Sequence, residues 1–262
     1  MKYFDSHAHY YDERFCEEAE GGADALLSSL FSDNVSYIVN IGTSPESCRA
    51  AIRQAKRYPN MFTALGIHPS DAQQLTDIDA DLAEIETMLL DPDNKAVALG
   101  EIGLDYHYPD TDKELQLSVF DRQMQMARRL ALPVVIHDRE AHADVMDIVR
   151  RYPDVKGIFH SFSGSAEMAK ELIRLGYMIS FSGTVTFTNA RRVVEACAAV
   201  PMEHILIETD APYLAPHPER GTLNHSGKLV FTNRRVAELH AISEEEAAAI
   251  TEKNAKRLFG IE

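Results

Sequence analysis

Cysteine is scarce in this sequence. Only Cys16, Cys48 and Cys197 occur, an odd number of residues without C-x-x-C spacing. Such a set supports neither a framework of disulfide bonds nor a zinc site built from thiolates. We therefore expect three unpaired thiols in a reducing compartment, which places the protein in the cytoplasm.

Long apolar runs are also absent. No stretch approaches the roughly 18 consecutive apolar residues of a membrane span. The N-terminus has Asp5 and His7 within its first ten residues, so it lacks the apolar segment of a secretory signal. The sequence therefore predicts a protein without a membrane partner.

Positive charge is in deficit. The chain has 26 Lys and Arg residues against 41 Asp and Glu residues, and its formal net charge is −15. Proteins that coat polyanions without specificity depend on many contacts from Lys and Arg to phosphate. This balance excludes such a protein, so any contact with nucleic acid has to be local. We expect a monomer.

Short β-branched runs alternate with amphipathic segments of helix length. Parallel strands joined by crossovers are typical of this alternation, and eight such units in a chain of this length predict an α/β fold, a (β/α)₈ TIM barrel. Two further helices, near 230–240 and 243–258, would pack outside it. No linker divides the chain, so residues 1–262 are predicted to form one domain. The candidate strands are residues 2–7, 36–42, 62–68, 96–103, 133–138, 156–162, 176–183 and 205–210.

Ligands of a TIM barrel bind at the carboxyl ends of its strands. His7 and His9 follow the first candidate strand, and their spacing of two lets both face the barrel mouth, where they can share one metal. Six histidines on predicted loops or helices are expected to be ordinary side chains: His107, His142, His204, His217, His225 and His240. The ionisable residues at strand ends are His7, His9, His68, Glu101, His137, His160 and Asp210.

These donors suffice for two divalent metal ions. A mixed shell of imidazole and carboxylate suits zinc or manganese, and it tolerates magnesium less readily. Glu101 is central in the strand order, so its two oxygens could bridge the ions. Asp210, after the last strand, is the candidate acid/base. His68 is predicted either to support the ligands or to contact substrate.

Several strings resemble the TatD family of metal-dependent hydrolases and occur in the family's order across the whole chain. The resemblance implies a deoxyribonuclease of the amidohydrolase superfamily, with His7 and His9 on one metal helped by Asp210, His137 and His160 on the other, and Glu101 between them. A narrow barrel mouth would admit the end of a strand more readily than the middle of a duplex, so we expect an exonuclease of the 3′-5′ type that prefers single-stranded DNA ends. The strings include "DSHAHY", "GIHPSD", "GEIGLDY", "FHSFSGS", "ILIETDAPYLAP" and "TEKNAKRLFG".

A phosphate substrate needs cations that are not already paired, and arginine suits phosphate because its planar fork donates two bonds. Arg139 follows the strand end that bears His137 and is the first candidate, followed by Arg220 and Lys228 on the last loop. Other candidates for substrate contact are Arg191, Arg192 and the aromatic residues Tyr106, Phe162 and Phe187.

One loop departs from the family pattern. After Arg220 and Gly221 the family usually continues with a basic residue, Asn, Glu and Pro, whereas this chain runs "TLNHSGKLVFTN" over residues 222–233. Every proposed metal ligand remains, so the departure concerns substrate handling. Two alternatives stay open: an esterase, amidase or deacylase acting on a small molecule or an aminoacyl ester, and a non-catalytic scaffold stabilised by metal.

Overall fold

Eight parallel strands form one sheet in the computed structural model, which describes residues 1–262. Each strand pairs in parallel with the next in chain order. The predicted TIM barrel is confirmed. The strands are β1 (Tyr3–Ala8), β2 (Val35–Gly42), β3 (Met61–Leu65), β4 (Ala96–Asp105), β5 (Val134–Arg139), β6 (Gly157–Phe159), β7 (Met178–Phe181) and β8 (Ile205–Ile207).

Helices connect the strands, and two more follow β8 as predicted. No helix is both long enough and apolar enough to cross a membrane. The helices are α1 (Arg14–Glu18), α2 (Gly22–Ser32), α3 (Pro45–Ala55), α4 (Pro69–Ala72), α5 (Ile78–Leu90), α6 (Lys113–Leu130), α7 (His142–Arg151), α8 (Ala166–Leu175), α9 (Arg191–Ala199), α10 (Leu229–His240) and α11 (Glu244–Phe259).

Local sequence explains where the helices begin. The Ser44 hydroxyl accepts a hydrogen bond from the Ser47 N–H, and the Ser47 hydroxyl accepts one from the Ser44 N–H, so α3 starts with a reciprocal cap. Asp112 accepts from the Leu115 N–H at 3.0 Å and caps α6 with this single hydrogen bond.

The barrel closes between the ends of β1 and β8. Ala8 and Ala211 form a parallel bridge. The His9 N–H donates to the Ala211 carbonyl at 2.7 Å, and the Asp210 N–H donates to the His7 carbonyl at 2.9 Å. Closure therefore brings residues from the two ends of the chain together at one point of the mouth.

Two apolar layers support the barrel. The larger cluster of buried residues lies between the strands and the outer helices. A second cluster takes at least one residue from every strand, fills one end of the lumen, and is sealed by Ala255 and Phe259 of α11. Because this apolar plug occupies one end of the lumen, the polar side chains collect at the other. The lumen residues are Phe4, Val39, Ile41, Ala64, Ala98, Val135, Ile158, Met178 and Leu206.

Four strands end earlier than the sequence predicted, and one of them, β7, ends at Phe181 instead of residue 183. β3 was expected to reach His68 but ends at Leu65, because His68 caps α4 with Nδ1 accepting from the Ser70 N–H at 3.1 Å. β6 and β8 were expected to run to residues 162 and 210, and they end at residues 159 and 207. The ionisable residues thus stand in the first turns beyond these strands.

Candidate metal centre

A cavity of about 1000 Å³ opens at the carboxyl ends of the strands. His7 lies beneath it and is fully buried. The structure therefore gathers every predicted ligand at one end of the barrel. The predicted residues that line the cavity are His9, His68, Glu101, His137, Arg139, His160 and Asp210.

A β-bulge turns the first two histidines into the mouth. From Asp5 to Ala8 strand β1 advances three residues while β2 advances two. The Nε2 atoms of His7 and His9 lie 3.1 Å apart. His9 Nδ1 is 3.0 Å from the Ile41 carbonyl, and donation to that oxygen leaves the Nε2 lone pair facing the site.

Glu101 lies between two histidine pairs. A second register shift, between residues 99 and 102 of β4, accompanies its inward position, and the residue is 3 % exposed. Its Oε2 is 3.3 Å from His7 Nε2. Its Oε1 is 2.8 Å from both His137 Nδ1 and His160 Nε2. Each carboxylate oxygen therefore faces a different pair.

Two buried carboxylates contact the pair formed by His137 and His160 on the side that faces away from Glu101. His137 Nε2 is 3.2 Å from Asp105 Oδ2, and His160 Nδ1 is 3.2 Å from Glu208 Oε1. Glu208 also accepts the Ser161 N–H at 2.6 Å. These partners take up the outer nitrogens, so the free nitrogens of the two rings, 3.1 Å apart, point into the site.

Asp210 completes the arrangement from the turn after β8. Its Oδ1 is 3.5 Å from His7 Nε2 and 3.4 Å from His9 Nε2. Its backbone has a φ of 57°, in the left-handed region that non-glycine residues rarely adopt. The Tyr213 N–H donates to the Asp210 carbonyl and helps hold this turn. The side chain is 15 % exposed, so it is open to the cavity.

The donor set fits divalent cations. Imidazole lone pairs and carboxylate oxygens face one another, and such electron-rich atoms need protons or cations between them. Glu101 occurs in two of four overlapping sets, which suits a shared ligand. The sets whose donor atoms lie within 4.8 Å of one another are His7 with His9 and Glu101, His7 with His160 and Asp210, Glu101 with His137 and His160, and His68 with Asp105 and His137.

The charges of the site are strongly coupled. Burial alone would raise the pKa of Glu101, but His160, His68 and His7 hold that pKa well below its ordinary value. Burial likewise disfavours a charged imidazole at His160, yet the Glu101 carboxylate raises the pKa of His160 well above its ordinary value. Glu101 is therefore ionised, as a ligand must be.

His68 stands at the side of this group. Its Nε2 is 3.5 Å from Glu101 Oε1, and with Asp105 and His137 it forms a further set of possible donors. Burial, followed by the neighbouring His137, lowers the pKa of His68 to about 3. The ring is therefore neutral, and it lines the cavity where either predicted role is open to it.

The predicted substrate cations do not all reach the cavity. Arg139, exposed at the end of β5, lines it. Arg220 stacks over the Phe187 ring at 3.9 Å and donates to the Ala215 carbonyl. Lys228 is largely buried, bonded to Thr222 and 3.7 Å from Glu219. Neither Arg220 nor Lys228 lines the cavity.

The three aromatic residues predicted to contact substrate are engaged with other parts of the protein, and other aromatic residues are exposed at the cavity. Phe162 is 3 % exposed, the Tyr106 hydroxyl donates to Asp144, and Phe187 lies under the Arg220 guanidinium. The aromatic residues that both line the cavity and are exposed are Tyr108 and Tyr213. Composition alone does not distinguish them from the other tyrosines.

The atypical loop from residue 222 is tied to the site. The Asn224 amide donates to the Thr209 and Tyr213 carbonyls. The Ser226 hydroxyl donates to Asp5 Oδ2 at 2.7 Å, and Asp5 also accepts the N–H and hydroxyl of Thr209. Burial raises the pKa of Asp5 to about 6. This network fixes β1 beside the end of β8.

Sequence reasoning missed three functional carboxylates. Asp5, Asp105 and Glu208 are buried within hydrogen-bonding reach of ligands or of the backbone that carries them. Each lies within four residues of a predicted ligand, Asp5 inside β1 and the other two at strand ends. That proximity was the available signal, but which atom each carboxylate contacts depends on other strands.

Solved structures share this architecture. YJJV, a TatD homologue from Escherichia coli K12, matches with a TM-score of 0.90 and 28% identity, covering 99% of this chain and 98% of that chain. A TatD family hydrolase from Entamoeba histolytica matches with a TM-score of 0.86 at 21% identity, over 100% and 99% of the two chains, and this likeness supports the fold. The protein therefore has the TIM-barrel fold of these TatD structures.

The family follows from the sequence comparisons. The model of the TatD related DNase family matches residues 4–260. The relative YabD of Bacillus subtilis strain 168 is 38% identical over 260 residues, which cover 98% of this chain and 99% of YabD. YcfH of Escherichia coli K12 is 34% identical over 260 residues, covering 98% and 96%. Both bear the name uncharacterized metal-dependent hydrolase. The chain belongs to the TatD family and is a metal-dependent hydrolase, so the resemblance is confirmed.

Proposed function

We propose that the protein is a deoxyribonuclease that hydrolyses phosphodiester bonds with two divalent metal ions, removing nucleotides from single-stranded ends in the 3′-5′ direction. The observation that carries the proposal is the position of Glu101, with one carboxylate oxygen toward His7 and the other toward His137 and His160. A carboxylate between two histidine pairs suits two ions that share a ligand. The family to which the chain belongs is named for DNase activity.

Two cations held by these residues would supply positive charge near the phosphate oxygens and would lower the pKa of a water molecule. His7 and His9 would bind one cation with Asp210, and His137 and His160 the other. Asp210 Oδ1 faces the two histidines, and its side chain is open to the cavity, so it is placed to accept the proton of the attacking water. Arg139, exposed and without a carboxylate partner, would bind a phosphate of the substrate. His68 stays a candidate for substrate contact. Arg220 and Lys228 are disfavoured because other residues of the protein already hold their side chains.

The direct test is nucleotide release from single-stranded DNA labelled at its 3′ or 5′ end, after chelation and re-addition of Mg²⁺, Mn²⁺ or Zn²⁺. We expect metal-dependent release of the 3′ nucleotide first, and loss of that activity in Asp210→Asn. Asp147→Asn, an exposed carboxylate on α7, is the matched control. Failure of every metal to restore release would refute the nuclease.

A second variant tests the shared ligand. Glu101→Ala is expected to remove turnover and weaken metal binding while the far-ultraviolet spectrum and the barrel persist, since the lumen core lies at the other end. Wild-type activity in this variant would eliminate the two-metal arrangement. Arg139→Ala is expected to raise KM for a phosphate substrate with little change in kcat.

One observation favours a second candidate, ester or amide hydrolysis. The cavity lining contains seven carboxylates and one arginine, which suits a substrate with less negative charge than DNA. Parallel assays on phosphodiester, ester and amide panels separate the two. Tight nucleic-acid binding by the metal-loaded protein without cleavage of any bond would instead indicate the non-catalytic scaffold.

We also propose a monomer in the cytoplasm. The three cysteines are free thiols, and burial raises the pKa of Cys48 to about 12, which keeps that thiol protonated and unreactive. Sedimentation equilibrium tests the oligomeric state, and fractionation of cells tests the location.

A further inference from the structure

The side chains that line the cavity are strongly acidic when the proposed metal ions are not counted. Arg139 is the one Lys or Arg among the residues that line it. Even with two divalent cations bound, the lining keeps a net negative charge. Every further phosphate of a strand that entered the cavity would be repelled by the carboxylates that line it, because charges of the same sign repel at the distances found within one cavity. The lining carboxylates are Asp12, Asp71, Glu101, Asp105, Asp110, Asp138 and Asp210.

The basic residues near the mouth do not form a track for a polynucleotide. Arg14 pairs with Glu18 and Arg191 pairs with Glu195. The basic residues of the last loop are held by protein partners as described above. Arg192 is exposed at the start of α9 but is outside the cavity lining. A strand that leaves the cavity therefore meets few free cations.

Two exposed tyrosines flank the cavity. The large hydrophobic side chains that are exposed anywhere in the molecule number four, and Tyr108 (54 %) and Tyr213 (47 %) are two of them. Tyr108 follows β4 and Tyr213 follows β8, so they stand on opposite sides of an eight-stranded barrel. Aromatic faces exposed beside a phosphate site are platforms on which bases stack.

Both rings are held in place. The Tyr213 hydroxyl donates to Asp12 Oδ2 at 2.8 Å, and its ring lies 6.4 Å from the ring of His9, a proposed ligand. The guanidinium of Arg139 lies over the Tyr108 ring, 5.7 Å from its centre, and that of Arg14 lies over the Tyr213 ring at 5.8 Å. Each ring thus has an arginine over one face, which leaves the opposite face for a base, and Tyr213 stands close to the proposed metals.

We propose that the cavity holds only the end of a strand: the two bases beside the scissile phosphate stack on Tyr108 and Tyr213, one further phosphate binds Arg139, and the rest of the strand stays unbound. This inference rests on the proposed phosphodiesterase activity and specifies its substrate as short oligonucleotides. Hydrolysis of a dinucleoside monophosphate consumes one water, breaks one P–O bond, and yields a nucleoside and a nucleoside monophosphate.

The test is a length series of oligothymidylates from the dinucleotide to the 20-mer, with the metal-loaded enzyme and initial rates for the first bond cleaved. We expect kcat/KM to rise from the dinucleotide to the trinucleotide and then stay constant within about twofold. For the 20-mer, log(kcat/KM) should fall with log[salt] with a slope of about −0.7, the value for one phosphate contact on a single strand. A continued rise to the 20-mer of tenfold or more, or a slope near −3, overturns the inference.

Variants locate the contacts. Tyr108→Ser and Tyr213→Ser are each expected to raise KM for the trinucleotide about tenfold, within the range for loss of one stacked base, with kcat little changed. Tyr108→Phe and Tyr213→Phe keep the aromatic ring and should have the KM of the wild type. If the hydroxyls acted only structurally, their loss in the Phe variants would raise KM as well. Unchanged KM in both Ser variants overturns the stacking.

Arginine variants test the single phosphate contact. Arg139→Gln is expected to bring kcat/KM of the trinucleotide down toward that of the dinucleotide, while Arg174→Gln, an exposed arginine at the far end of α8, serves as the control. An effect of Arg192→Gln on the 20-mer but not on the trinucleotide would reveal an extended path and contradict the inference. If no oligonucleotide of any length is cleaved, the proposed phosphodiesterase activity itself fails; cleavage with a steady gain in length removes only this inference.

Discussion

The buried carboxylate of Glu208 illustrates how single residues prepare this site. It accepts from His160 Nδ1 and from the Ser161 N–H, which fixes the ring so that Nε2 points toward Glu101. A carboxylate behind a metal-binding histidine sets its tautomer and increases its basicity, and loss of such a partner typically costs ten- to a hundredfold in affinity.

Glu208→Gln tests this role. The amide keeps the size of the side chain but removes its charge, so we expect metal affinity to fall about tenfold or more, measured by competition with a chromophoric chelator. Glu203→Gln, exposed near the start of β8, should bind metal as the wild type does. Equal affinities in the two variants would show that Glu208 does not support His160.

His225 couples stability to pH. Burial, followed by the Lys228 ammonium, lowers the pKa of His225 to about 4 from its ordinary value of 6.5. Between these two values the unfolded chain binds a proton that the folded chain does not, so the folded state loses stability as pH falls through this window. Above pH 6.5 both states are neutral at this residue, and it has no pH effect.

The variant His225→Gln should therefore lose less stability on acidification. One pKa unit corresponds to about 1.4 kcal/mol; because the ring is partly exposed, we expect the fall in unfolding free energy from pH 7.5 to 4.5 to be only about 1 to 2 kcal/mol smaller than in the wild type. Urea unfolding at both pH values measures the unfolding free energies. The difference between variant and wild type at pH 7.5, where the residue is neutral in both states, gives the effect of changed packing. Parallel pH profiles would remove His225 as the cause.

At the scale of elements, α11 closes the end of the barrel opposite the site. Phe259 is 5 % exposed, and its ring is stacked with Phe4 of β1, with ring centres 6.1 Å apart. The helix begins with the Ser243 hydroxyl accepting the Glu246 N–H, and Asn254 donates to the Met202 and Ile205 carbonyls beside β8. These contacts join the last helix to the first and last strands.

Phe259→Ala is expected to reduce the unfolding free energy by about 3 kcal/mol, because it leaves a cavity against the lumen core. Lys253→Ala, exposed on the same helix, should change it by less than about 0.5 kcal/mol. Denaturant unfolding measures both. Since the catalytic end is remote, kcat of the folded variant should match the wild type, and a loss of kcat in parallel with stability would indicate that α11 also shapes the site.

The strands show where pattern reading succeeds and fails. Alternation correctly predicted eight strands, and the two helices expected near 230–240 and 243–258 are α10 and α11. It gave no sign of the register shifts in β1 and β4, which accompany the inward positions of His7 and Glu101. A bulge depends on pairing with the neighbouring strand, so it has no signature in the residues of one strand alone.

At the scale of the whole molecule, negative charge concentrates where the metals are proposed. The chain has a formal charge of −15, and seven carboxylates line one cavity. Cations that bind only the folded chain stabilise it by mass action, by about 2.7 kcal/mol at a hundredfold excess over Kd.

Metal removal should therefore lower Tm by about 5 to 10 °C for a chain of this size, measured by calorimetry before and after chelation and after re-addition of Zn²⁺ or Mn²⁺. Glu101→Gln should lose most of this shift because it weakens the shared ligand. A wild-type Tm that does not respond to any divalent ion would contradict a metal centre at this end of the barrel.

The sequence by itself determined the barrel, the family and the set of proposed metal ligands, because periodicity and ordered motifs are local properties of the chain. Only the tertiary structure decided the rest: the closure that places Asp210 beside His7, the support of His160 by Glu208, the covering of Phe162 and Arg220, and the exposure of Tyr108 and Tyr213. Each of these depends on contacts between residues far apart in the chain, and burial and proximity of that kind exist only after the strands have closed.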